Sequence, residues 1–173
     1  HLTFPMVLKQ PDSCFSRGVT KVQNLEELHA ALDKLLHDSE LVIAQEFLPT
    51  SFDWRVGVLE NKPLFACKYF MAKDHWQIYD WSHKRMRDGA HETFALEDAP
   101  PDILNLATKA ASLIGNGLYG VDIKESNGKA YVIEVNDNPN IDAGVEDMVG
   151  GRAIYDAVMQ ALRRGIEKNL PAI

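Results

Sequence analysis

Apolar positions recur along this chain in two periods, and the change from one to the other marks its elements. Phe4 to Lys9 reads as a short buried strand. It runs into a turn-rich loop, Gln10 to Gly18, and extended structure resumes over Val19 to Val22. Asn24 followed by Glu27 forms a capping box, and Leu25, Leu28, Leu32, Leu35 and Leu36 behind it trace one apolar stripe of a helix. Leu41 to Phe47 is a further strand, ended by Pro49. Trp54 to Leu59 and Leu64 to Phe70 alternate as a hairpin joined through Glu60 to Pro63, followed by a strand over His75 to Trp81 and a polar, basic stretch from Ser82 to His91. A second helix opens near Pro101, carries Ile103, Leu106, Ala107, Ala110 and Ile114, and stops at Gly115-Asn116-Gly117. Strands over Tyr119 to Glu125 and Ala130 to Asn136 follow. A last helix, about Arg152 to Lys168, repeats its apolar face at Ile154, Val158, Ala161, Leu162 and Ile166. The pattern predicts an α+β chain with mostly antiparallel strands and two lobes that divide between Pro49 and Asp53.

Composition narrows the class. The chain has 173 residues and a net charge of −7, enough for a sizeable core without metal or disulfides. An acidic balance argues against a general nucleic-acid binder. No apolar run reaches the length of a membrane span, and no signal-peptide pattern opens the chain. The two cysteines, Cys14 and Cys67, form no metal-binding or disulfide framework. These features predict a cytoplasmic protein. The start at His1-Leu2-Thr3-Phe4, without Met, reads as a cut.

The chemistry concentrates in Gly120 to Asn136. An Asn127-Gly128 pair permits a two-residue type I′ turn, which would set Asp122 against Ile133 and Val121 against Glu134, mixing polar and apolar residues on both faces. A three-residue loop, Ser126-Asn127-Gly128, instead pairs Asp122 with Val132. It puts Val121, Ile123, Tyr131, Ile133 and Val135 on one face and Asp122, Lys124, Glu134 and Asn136 on the other. Because a one-residue slip inverts every side chain, this segregation favours the three-residue loop. Asp122 and Glu134 then lie on a diagonal, with Asn136 beyond them. Two carboxylates and an amide are hard oxygen donors, suited to Mg²⁺ shared with phosphates. Asn138-Pro139-Asn140 is a turn, so Asp137 and Asn140 are read as structural.

Asp122 with Glu134-Val135-Asn136-Asp137-Asn138-Pro139 resembles the metal-binding signature of ATP-grasp enzymes, and the wider pattern is similar to the RimK-type branch and to bacterial glutathione synthetases. The resemblance implies an ATP-grasp fold, two α+β lobes clasping ATP, with residues 1–48 as a partial small lobe and 49–173 as the C-terminal lobe that carries the metal site. A domain that precedes the ATP-grasp lobes would be absent. It implies ATP and Mg²⁺ (or Mn²⁺), with two ions on Asp122, Glu134 and Asn136. Lys9, at the end of Pro5-Met6-Val7-Leu8-Lys9, takes the place of a phosphate-binding lysine. The loop Asp12 to Val19 takes the place of a mobile glycine-rich loop. It keeps only Gly18, so Ser13, Ser16 and Arg17 would share in covering the phosphates. Backbone groups of Glu46, Phe47 and Leu48 would receive adenine, and Asp53 in Asp53-Trp54-Arg55 would bond the ribose. Lys68, a cation in an apolar strand that needs a partner, and Arg87 in Arg87-Asp88-Gly89 would meet the transferred phosphoryl group as catalytic residues. Lys84 and Arg85 read as a solvated face.

The activity so implied is ATP-dependent ligation of a carboxylate to an amine through an acyl phosphate, with glutamate as a candidate amino acid. Its partners are a small-molecule or peptide carboxylate and an amino acid, with no membrane, and a homo-oligomer when intact. The alternative is an ATP-binding module without ligase activity, and a metal-dependent phosphohydrolase ranks below both.

Overall fold

The computed structural model describes residues 1–11, 17–82 and 85–169. Its elements follow the order β1 (Met6–Lys9), β2 (Val19–Val22), α1 (Leu25–Asp38), β3 (Ile43–Glu46), β4 (Phe52–Leu59), β5 (Lys62–Phe70), β6 (Tyr79–Asp80), β7 (Arg87–Asp88), β8 (His91–Phe94), α2 (Pro101–Ser112), β9 (Leu118–Ser126), β10 (Lys129–Asn136) and α3 (Arg152–Asn169). Three antiparallel sheets result, ordered β2-β1-β3, β10-β9-β4-β5-β8 and β6-β7.

In the three-stranded sheet, alternation sends Met6, Leu8 and Val22 into a core shared with Ala31 and Leu35 of α1. Register then places Val7, Lys21 and Gln45 together on the opposite face, with Lys9 beside them. The predicted capping box forms with a variation: Asn24 Oδ1 accepts from the Glu27 N–H at 2.9 Å, while the Glu27 carboxylate accepts from the Gln23 N–H at 2.9 Å. The stripe of α1 is narrower than expected. Ala31 and Leu35 are buried, whereas Leu25 and Leu36 face solvent.

One face of the five-stranded sheet is mainly apolar. Trp54, Val56, Val58, Ala66, Val121 and Ile123 pack against Ile103, Ala107 and Ala111 of α2. Ile114, expected on that stripe, lies beyond the helix end and is exposed. Glu60 and Asn61 both take positive φ, so the β4–β5 connection is a tight two-residue turn.

Two further expectations are corrected. The strand proposed for His75 to Trp81 contracts to Tyr79–Asp80, because Ala72 and Gln77 close a turn in which Asp74 has φ 60°. The polar, basic stretch from Ser82 to His91 contains β7 and leads into β8, whose sequence His-Glu-Thr-Phe lacks apolar alternation and takes its form from pairing with β5 at the sheet edge. In α3 only Ile154 of the predicted apolar face is buried; Leu162 and Ile166 are about 60% exposed.

Candidate active site

The site lies on the sheet face turned away from α2, and the β9–β10 hairpin builds it. Asn127 and Gly128 have φ of 53° and 70°, so the loop is the two-residue turn, not the three-residue loop the alternation favoured. From the turn inward the pairs run Lys129 with Ser126 through Val132 with Ile123. Then Ile133 bulges out, and beyond it Glu134 faces Asp122, Val135 faces Val121 and Asn136 faces Gly120. Ala130, Val132 and Val135 consequently pack on the α2 core, while Tyr131 and Ile133, both expected there, do not. Asp122 and Glu134 share the site face as a direct cross-strand pair rather than a diagonal, with Asn136 two residues along. Asn136 Oδ1 accepts from the Asn138 N–H at 2.8 Å, which sets the turn after the strand.

Each carboxylate on this face meets a cation. Arg55, directly across from Asp122 on β4, donates from Nε to Oδ1 at 2.5 Å and from Nη2 to Oδ2 at 2.9 Å. Lys9 reaches from β1 to Glu134 Oε2 at 3.1 Å, and Lys124 donates to Asp53 Oδ1 at 2.5 Å and to Thr50 Oγ1 at 2.8 Å. Burial pushes the Asp53 carboxyl above its ordinary range even though Lys124 opposes the shift. The Asp122 charge beside it raises Arg55 further still, fixing that guanidinium as a permanent cation.

The bulge joins the two larger sheets. The Ile133 carbonyl accepts from Gln45 Nε2 at 3.3 Å and from Lys9 Nζ at 3.5 Å, so the face of the small sheet that carries Lys9 and Gln45 is turned toward the carboxylates. Beyond this contact Lys21 lies over the rings of Phe47 and Trp76 at 4.5 and 5.4 Å, and Phe47 meets Trp76 edge-on at 5.7 Å. Glu46 ends β3, and the Phe47 N–H donates to the Pro5 carbonyl at 3.4 Å, so Glu46, Phe47 and Leu48 form an anchored strand exit. Gly18, with φ 65°, accepts from the Gln10 N–H at 3.2 Å and closes the β1–β2 loop. Ser13 and Ser16, like Lys84, lie outside the described residues.

The candidate catalytic residues fare differently. Arg87 is exposed on β7, paired with Asp80. Lys68 is not on the site face. Alternation along β5 puts it on the α2 side with its Nζ 4.6, 4.7 and 5.1 Å from the ring centres of Phe52, Trp54 and Phe94. Aromatic faces supply the partner that a phosphate was expected to be.

Tyr69, Gln45 and Glu146 were not singled out in the sequence, and Arg55 and Lys124 were placed there, in Asp53-Trp54-Arg55 and on the polar face of the hairpin, without a role. Arg55 and Lys124 carried a signal nonetheless, since each shares the parity of its neighbouring aspartate. Glu146 carried none. It is 0% exposed and accepts from the Tyr69 hydroxyl and, at 2.8 Å, from the Asp142 N–H.

Among the described residues no three or more His, Cys, Asp or Glu gather as a metal cluster. The donors present are Asp122, Glu134 and the Asn136 amide. A set this sparse leaves most coordination positions to other oxygens, which fits Mg²⁺ held jointly with a polyphosphate. Among the described residues no helix is long and apolar enough to cross a membrane.

The D-alanine–D-alanine ligase of Neisseria gonorrhoeae is 30% identical over 146 residues, 81% of this chain and 47% of the relative. That of Trichlorobacter lovleyi is 29% identical over 144 residues, 80% and 45%. The chain thus spans about half the length of the curated relatives it matches. Among solved structures, the D-alanine–D-alanine ligase of Bacillus anthracis complexed with ATP superposes with a TM-score of 0.70 at 18% identity, covering 96% of this chain and 55% of that one. A biotin carboxylase from Campylobacter jejuni gives 0.68 at 19%, covering 92% and 37%. These structures establish the ATP-grasp fold. A family model described as D-ala D-ala ligase C-terminus matches residues 1–143, and the chain belongs to that family of ATP-grasp carboxylate–amine ligases.

Proposed function

We propose that this chain forms the nucleotide- and metal-binding part of an ATP-dependent ligase that joins a carboxylate to an amine. The observation that carries the reading is the direct pairing of Asp122 with Glu134 on a face that Lys9 reaches from the other sheet. A triphosphate placed between the sheets would meet carboxylates through magnesium on one side and an ammonium on the other.

In this reading Asp122, Glu134 and Asn136 hold the metal, which supplies charge neutralisation at the phosphates. Lys9 exchanges Glu134 for a phosphate oxygen, and Arg55 stands beside the reacting group as a fixed cation. Asp53, oriented by Lys124 and Thr50, accepts from the ribose hydroxyls. The strand exit at Glu46, Phe47 and Leu48 offers backbone groups to adenine. Gly18 and the β1–β2 loop, with Ser13 and Ser16, cover the phosphates, and Arg87 stays a candidate for the acyl-phosphate end. The substrate carboxylate attacks the γ-phosphorus and releases ADP. The amine then adds to the acyl carbon, the C–O bond to phosphate breaks, and phosphate and a proton leave. Nothing in this sequence of bonds needs a covalent enzyme nucleophile. Such a reaction draws on cytoplasmic ATP.

Two amino-acid classes stand behind the finer reading. The family match supports D-alanine, and the similarity of the wider pattern to the RimK-type branch and to bacterial glutathione synthetases supports glutamate. Phosphate release by the full-length protein, measured with D-alanine alone and with L-glutamate against a panel of carboxylates, separates them. Release that requires both a carboxylate and an amine supports a ligase. ATP bound without turnover under every pair overturns the ligase in favour of a binding module.

A further inference from the structure

Glu146 is a fully buried carboxylate whose hydrogen bonds come from a phenol and a backbone amide. A charge in that position needs compensation nearby. The contacts around it close into a ring. Arg55 Nη1 donates to Asn140 Oδ1 at 3.3 Å, and Asn140 Nδ2 donates to Asp142 Oδ2 at 2.6 Å. The Asp142 N–H donates to Glu146 Oε2 at 2.8 Å, the Tyr69 hydroxyl donates to Glu146 Oε1, and the Tyr69 ring centre lies 5.6 Å from the Arg55 guanidinium carbon. Arg55 therefore has one carboxylate on its outer side, Asp122, and a second behind it, relayed through Tyr69.

We infer that Glu146 is a positioning residue for the metal site: it supplies the standing counter-charge that lets Arg55 give up its hold on Asp122 when a divalent cation arrives. This rests on the metal reading above. Arg55 occupies both oxygens of Asp122, so a metal ion must compete with it for that carboxylate. Were Asp122 the sole counter-charge, its transfer to a cation would strand a buried guanidinium. With Glu146 beneath, the guanidinium stays compensated, and its bond to Asn140 keeps it in place beside Gly120, where Pro139 leaves no room for a side chain. The family match ends at residue 143, so Glu146 lies outside the matched residues.

The test is Mn²⁺ binding to the full-length protein saturated with ADP, read from the electron paramagnetic resonance of free Mn²⁺, alongside ADP affinity in EDTA. Glu146→Gln should weaken Mn²⁺ by roughly tenfold or more, as loss of an outer-shell partner does, while ADP affinity in EDTA stays within about twofold. Tyr69→Phe keeps the charge and cuts the relay, and should weaken Mn²⁺ by roughly threefold, less than loss of the charge itself. Unchanged Mn²⁺ affinity in Glu146→Gln overturns the inference, as does a parallel loss of ADP and Mn²⁺, which would mark a purely structural role. If Glu146→Gln fails to fold, Tyr69→Phe decides by the same two readouts. Wild-type protein that holds no Mn²⁺ beside ADP would overturn the metal reading itself, and the inference with it.

Discussion

The two faces of the five-stranded sheet are made by the same strands, residue by alternate residue, and they differ in almost everything else. On the α2 side Val56, Val121 and Ile123 are sealed in the apolar core with Trp54, whose indole N–H reaches Glu125 at the edge of that core. On the other side charge-assisted hydrogen bonds join Arg55 to Asp122, Lys124 to Asp53, and Glu134 to Lys9 of the small sheet. One face is held by area removed from water, which tolerates approximate geometry. The other is held by directional contacts between groups that would be costly if left alone. A strand thereby serves stability and chemistry at once, and the parity of a residue decides which it serves.

Exchanging the roles of the faces by substitution tests that division. Trp54→Ala on the apolar face should remove about 3–5 kcal/mol of stability, as truncation of a buried aromatic does, which chemical denaturation would measure. Glu134→Ala on the charged face should leave the melting temperature close to wild type, because Glu134 is half exposed, and lower ADP formation with Mg²⁺ by about 10²–10³-fold. Undiminished ADP formation would remove Glu134 from the metal site. Lys68→Met is the sharper case, since Lys68 is charged but sits on the apolar side. It should cost about 0.5–2 kcal/mol from the lost contacts with Phe52, Trp54 and Phe94 and change turnover little; a large loss of turnover would return Lys68 to the phosphate.

The smallest effect concerns pH. Cys67 lies between the faces in character, on the site side yet wholly buried, and burial pushes its thiol from 9.0 up to about 12. The folded thiol stays protonated where the unfolded one ionises. Its contribution is therefore fully present below about pH 9 and is lost as pH rises toward 12. Denaturation midpoints of wild type and Cys67→Ala should converge over that interval, and a constant difference would contradict the shift. Alkylation of Cys67, followed by mass spectrometry, should also be slow in the native protein at pH 8.

The elements were legible where the period was long and local. Asn24 and Glu27 announced α1, and Pro101 and Gly115 bracketed α2, but both tight turns were read too long: Glu60 to Pro63 for a turn made by Glu60 and Asn61, and Ser126 to Gly128 for one made by Asn127 and Gly128. What stayed hidden depended on partners distant in the chain. His91–Phe94 is a strand because β5 lies beside it, and the partners of Lys9 and Arg55 lie 125 and 67 residues away. The hairpin is instructive because a mistaken turn still put Asp122 and Glu134 on one face. Unbroken alternation was assumed, and a bulge broke it. Lys68 failed for the opposite reason: its parity relative to Cys67 and Arg55 was readable, but its character as a cation outweighed it.

Ile133 would look superfluous to anyone reading the ladder alone. Strike it out and the pairing closes without a gap, Val132 still against Ile123 and Glu134 still against Asp122, so the carboxylates do not need it to stay aligned. Its contribution is a main-chain oxygen turned out of the sheet toward Gln45 and Lys9. That acceptor belongs to the backbone and would survive almost any substitution at the position. A deletion would remove it while leaving the metal-facing pair in register, so the join between the two sheets is sensitive to chain length there and nearly blind to side-chain identity.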